Sequence, residues 1–110
     1  MSWESWLLDE GERVAELKAA HGLEQLSKLD LLLYCLWVGD YSLRNAGDLE
    51  AGEQLLPGWL PRLVELAREL GLDGVASFFE KLPAAGSDAF DLYWDHFDQL
   101  CQEVSQTRER

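Results

Sequence analysis

Apolar positions are densest between Leu26 and Gly47. Leu31, Leu32, Leu33, Tyr34, Cys35, Leu36 and Trp37 follow one another there, and Asp30 is the one charge between Leu29 and Val38. A segment that is apolar on every side must be covered from several directions, so this stretch is the expected central helix. It begins near Glu24 or Ser27 and runs through Tyr41, Ser42, Leu43 and Arg44 to the turn residues Asn45, Ala46 and Gly47. Before it, Trp3, Trp6, Leu7, Val14 and Leu17 share one side of a helix over Ser2–Ala20. Ser2 is its candidate cap, Gly11 its expected break point and His21-Gly22 its end.

After Gly47, Asp48–Leu56 reads as a short helix or turn with Asp48 as cap, and Pro57-Gly58 is a stop. Gly58–Gly71 carries an apolar stripe of Leu60, Leu63, Val64, Ala67 and Leu70, opposite a wet face of Arg62, Glu65, Arg68 and Glu69. Pro61 suits its first turn. Asp73 is the candidate cap of a short helix bearing Val75, Phe78, Phe79 and Leu82, stopped by Pro83. Ser87 or Asp88 opens a last helix over Ala89–Val104, and Ser105–Arg110 is a polar tail expected to fray. The pattern predicts one all-α domain over residues 1–110, a compact unit of five to six helices. Its expected core is Leu32, Leu33, Leu36, Trp37, Leu63, Phe79, Phe90, Trp94 and Phe97.

Composition strengthens the helical reading: the chain has 22 Leu, five Val, one Thr and no Ile. The formal charge is -12, outside the magnitude of about 2–8 usual for a small domain. Such a surface repels nucleic acid and anionic membrane and attracts basic proteins. No apolar run approaches a membrane span, and no basic segment precedes the Trp3–Leu8 cluster as in a secretion signal. The expected location is therefore the cytoplasm. Cys35 and Cys101 both sit in apolar stripes and read as buried thiols of a reducing compartment.

Candidate chemistry is sparse. The carboxylates follow the outer sides of helices instead of facing each other across a cleft. His21, His96, Cys35 and Cys101 lack the short spacings of a zinc site, and no nucleophile–His pairing or phosphate-binding glycine loop is present. The expectation is a protein without enzymatic activity, metal or cofactor.

Two polar groups remain as partner-binding candidates. On the last helix, Asp88, Asp91, Asp95 and Asp98 stand opposite the stripe Phe90, Tyr93, Trp94, Phe97, Leu100, Cys101 and Val104, and no Lys or Arg occurs between Leu82 and Thr107. Natural surface helices interleave the two signs more evenly. After the central helix, Arg44, Asn45, Asp48 and Glu50 are expected to form a small recognition knob.

That second stretch also carries a resemblance. An aromatic-rich helix, an acidic residue, the turn Asn45-Ala46-Gly47-Asp48 and Glu50 precede one helix containing Glu69-Leu70-Gly71 and another rich in Leu and Phe. Over about Leu26–Leu82 this resembles the family of small acidic all-helical DNA-mimic proteins. In that family the turn reads Asn-Gly-Gly followed by an aromatic, so Ala46 and Asp48 depart from it. The resemblance implies a non-enzymatic protein that occupies the DNA-binding surface of a basic regulator. The charge alone fits an immunity protein neutralising a basic toxin equally well. A soluble accessory protein without a charge-led partner is the third reading.

Overall fold

The computed structural model describes residues 2–107 of the chain. In order it has α1 (Trp3–His21), a 3-10 turn (Leu23–Gln25), α2 (Lys28–Ala46), α3 (Ala51–Leu55), α4 (Trp59–Glu69), α5 (Asp73–Lys81), a second 3-10 segment (Leu82–Asp88) and α6 (Ala89–Ser105). No strand occurs among the described residues. The Cα radius of gyration, 12.9 Å, is close to the ~13 Å of a single domain of this length.

The apolar stretch forms α2, which packs against α1, α3, α4 and α6. Leu32 through Leu36, Val38, Gly39, Asp40, Ser42 and Leu43 are all buried in it. Its ends are local chemistry. The Ser27 hydroxyl accepts from the Asp30 N–H at 3.1 Å, and Gly47, at φ 72°, donates its N–H to Leu43 O. Leu23–Gln25 is a separate 3-10 turn, so α2 starts after Ser27 and not at Glu24.

Gly11 does not break α1. It is buried against Trp37, where a Cβ would lie 2.4 Å from the ring carbon Cδ1, so the glycine serves close packing of α1 on α2. Ser2 caps α1 through the Ser5 N–H, and Gly22 closes it. Asp73 is the first residue of α5 and not its cap. Glu103 of α6 instead accepts from the Val75 N–H at 3.3 Å, a carboxylate supplied by tertiary packing to a helix start that lacks its own. Residues 108–110 of the expected frayed tail lie outside the described residues. Ser105 still belongs to α6, and Gln106 and Thr107 donate back to Gln102 O and Val104 O.

Of the expected core, Leu32, Leu33, Leu36, Leu63, Phe79 and Phe97 are buried, and Trp37 and Phe90 are half-buried against it. Trp94 is 44% exposed and is no core residue. The stripe of α4 is rotated from the expected one. Trp59, Leu63, Leu66 and Ala67 are buried, while Leu60, Val64 and Leu70 sit at the margin. Trp59 fills the junction of α2, α3 and α4, with its indole N–H donating to Leu49 O at 3.2 Å and Phe79 meeting its ring edge-on.

Candidate functional site

Helix α6 has two unlike sides. Ala89, Tyr93, Phe97, Leu100, Cys101 and Val104 are buried, whereas Asp88, Asp91, Asp95 and Asp98 are exposed. Residues three and four apart on a helix lie about 5–6 Å from each other, so the four carboxylates make a strip along one face. None of them takes part in an ion pair or hydrogen bond with another described residue. Asp88 stands at the helix start without bonding a backbone N–H, and Asp91 lies in the first turn. The positive end of the helix dipole offsets part of the repulsion there. Glu10, Glu69 and Glu80 are matched, to Arg13, Lys28 and Arg68, whereas Asp9, Glu12 and Glu16 on the outer side of α1 are exposed and form no ion pair with a described residue.

The strip rests on a buried polar anchor that the pattern of positions did not reveal. The Tyr93 hydroxyl donates to Asp40 Oδ1 at 2.6 Å, and Arg44 Nε donates to both Asp40 oxygens at 2.8 and 2.9 Å. The Arg44 guanidinium lies 4.7 Å from the Trp94 ring centre and 5.0 Å from that of Phe97, and it reaches Glu4 at 3.6 Å. Phe90, Trp94 and Phe97 stack nearly parallel along the same edge of α6. The one sequence signal was the spacing Asp40–Arg44, an i,i+4 pair of opposite sign inside an otherwise apolar helix.

Of the expected knob, Asn45, Asp48 and Glu50 are exposed and Arg44 is half-buried. Arg44 turns inward to Asp40, Trp94 and Phe97 and is 26% exposed at its side chain. Asn45 donates to Tyr41 O, finishing α2, and Asp48 accepts from the Glu50 and Ala51 N–H groups, starting α3. The turn is pinned from within by Ser42, fully buried, which donates to Asp48 O at 2.7 Å and accepts from Gly52 N–H at 2.9 Å. Arg44 and Asp48 thus have structural work, while Asp48 and Glu50 line one shallow surface depression with Ala51, Glu53 and Gln54.

His96 packs on the Phe78 ring at 5.2 Å, with Nδ1 3.0 Å from Leu92 O. Among the described residues no group of three or more His, Cys, Asp or Glu is placed to hold a metal ion, and no helix is long and apolar enough to cross a membrane.

Both thiols are free and buried, and burial pushes Cys35 and Cys101 up to about 12. Burial and the neighbouring Asp40 also raise Tyr93. Unfolded thiols titrate near 9, so above that pH the unfolded chain binds fewer protons than the folded one. The contribution of these groups is complete below pH 9 and is lost progressively as the pH rises from 9 toward about 12. Tyr93 adds to the loss above pH 10. Urea midpoints measured from pH 8 upward should show this decline, and Cys35→Ala/Cys101→Ala should flatten it below pH 10, where Tyr93 does not yet contribute. An unchanged slope in the double variant would contradict the assignment.

No family model, curated protein or solved structure compared with the chain matches it.

Proposed function

We propose that the protein is a non-enzymatic binding protein whose α6 strip covers a basic surface of a protein partner. The observation that carries this is the set of four exposed carboxylates, unpaired among the described residues, on one helix whose opposite side is locked into the core. Charges held at fixed separations require little ordering on binding and steer the approach of an oppositely charged surface. Glu10, Glu69 and Glu80 are weaker candidates because they already have cationic neighbours, and the unpaired Asp9, Glu12 and Glu16 of α1 are the set against which the α6 strip must be compared.

Following the resemblance, the partner class is a DNA-binding protein, with the strip standing where backbone phosphates would. Duplex DNA presents one charge per ~1.7 Å of axis, and α6 offers one per roughly 5–6 Å. With Glu69 and Glu80 engaged by Lys28 and Arg68, this is a sparse strip one helix wide. It matches a short basic segment better than an extended surface that holds a long phosphate track.

The test compares two variants of equal charge change. Asp91→Asn/Asp95→Asn/Asp98→Asn removes the strip, and Asp9→Asn/Glu12→Gln/Glu16→Gln removes three exposed acids of α1. Against the partner captured by the wild-type protein, the α6 variant should bind about tenfold or more weakly while the α1 variant changes little. Equal losses would reduce the effect to overall charge, and no loss from either would remove the strip as the binding surface.

A further inference from the structure

A cleft of about 420 Å³ lies between the start of α1 and the outer edge of α6, lined by Ser2, Trp3, Glu4, Trp94, Phe97 and Asp98. It adjoins the acidic strip, since Asp98 belongs to both and Asp91 and Asp98 flank Trp94 three and four residues away. Trp94 leaves 44% of its surface open beside these carboxylates, so part of an aromatic ring is available to a partner there.

Its walls are held in place. Trp3 meets Trp6 edge-on at 5.6 Å, and Trp94 stacks on Phe97 at 5.8 Å and Phe90 at 6.2 Å. The Trp94–Phe97 pair already takes one guanidinium, that of Arg44, at 4.7 and 5.0 Å. The charge of Arg44 is met by Asp40 at 2.8 Å and by Glu4 at 3.6 Å. Asp98 forms no ion pair with a described residue, so with Arg44 matched by Asp40 and Glu4 the rim retains negative charge.

Aromatic faces and carboxylates together suit a planar cation. A guanidinium stacks on a ring while its N–H groups bond a carboxylate in the same plane, which an ammonium does less well. We propose that the cleft walled by Trp3 and Trp94 and flanked by Glu4 and Asp98 receives an arginine side chain of the protein partner. This rests on the α6 strip being the binding surface, and makes the cleft its anchoring point.

The test uses two synthetic peptides of equal length and charge, one alternating Arg and Gly, the other Lys and Gly, titrated into the full chain labelled with ¹⁵N. The tryptophan indole N–H signals are assigned from single Trp→Phe variants. The Arg peptide should shift the Trp3 and Trp94 signals and leave that of the fully buried Trp59 in place. It should bind several-fold more tightly than the Lys peptide. Asp98→Asn and Trp94→Leu, each checked for an unchanged helical spectrum, should each weaken the Arg peptide by roughly fivefold and narrow its advantage over Lys. Asp98→Asn keeps the test open should Trp94→Leu fail to fold. Binding that shifts amides along Asp88–Asp98 but neither tryptophan would overturn the arginine cleft and leave the strip standing. Equal affinity for the two peptides would also overturn the cleft, and absence of binding by either peptide would overturn both readings.

Discussion

Replacing Trp59 with alanine is expected to cost about 3–5 kcal/mol, a large share of the roughly 5–15 kcal/mol that holds a domain folded. The side chain is fully buried, its indole N–H satisfies Leu49 O, and its ring edge contacts Phe79. It fits because two helices offer it glycines. A Cβ at Gly39 of α2 would lie 2.6 Å from Cζ3, and one at Gly52 of α3 would lie 2.6 Å from Nε1. Alanine normally favours a helix interior over glycine by about 1 kcal/mol. Here Gly39→Ala should destabilise instead, because the ring is enclosed and has no flexible end to yield. Urea unfolding is the measurement: Trp59→Ala should lower the midpoint by more than about 1 M with little change in slope. Pairing Gly39→Ala with Trp59→Phe should cost less than the sum of the two single changes, since the smaller ring admits the methyl group. A Gly39→Ala variant more stable than wild type would contradict this packing.

The second large effect is expected at Asp40. Asp40→Ala leaves the Tyr93 hydroxyl and much of the Arg44 guanidinium without their acceptor. Losing one partner of a buried pair costs about 3–5 kcal/mol. Arg44 retains Glu4 and is 26% exposed, so the lower end, about 3 kcal/mol, is expected here. Tyr93→Phe removes one hydrogen bond to a charged acceptor and should cost about 1.5–3 kcal/mol. Converting all three together, Asp40→Leu/Arg44→Met/Tyr93→Phe, should recover much of the loss, because no buried polar group is then left unmatched. If Asp40→Ala were as stable as wild type, the network would have no stabilising role. The triple variant also separates stability from function. It leaves Asp88, Asp91, Asp95 and Asp98 untouched, so partner binding should survive where folding is restored.

The features legible in the sequence are those set within about four residues. Leu excess and three-and-four spacing gave the all-α class, and the unbroken apolar run marked α2 as the centre. Caps and stops at Ser2, Gly22, Ser27, Gly47 and Pro57-Gly58 act through hydrogen bonds and backbone angles of adjacent turns, so they too could be read directly. The acidic side of α6 followed from periodicity alone. Tertiary structure decided which residues those surfaces meet. Periodicity shows that α6 has an apolar side, yet its width depends on the neighbours that cover it, and they leave Trp94 at the uncovered edge. Tyr93 meets Asp40 across 53 residues of chain, and Trp59 meets Gly39 and Gly52 from different helices. Arg44, read as a surface contact from its place after an apolar run, is drawn inward because its carboxylate and two aromatic rings arrive from beneath. Such pairings are fixed by the packing of whole helices, where burying an unmatched charge costs more than any local preference can offset.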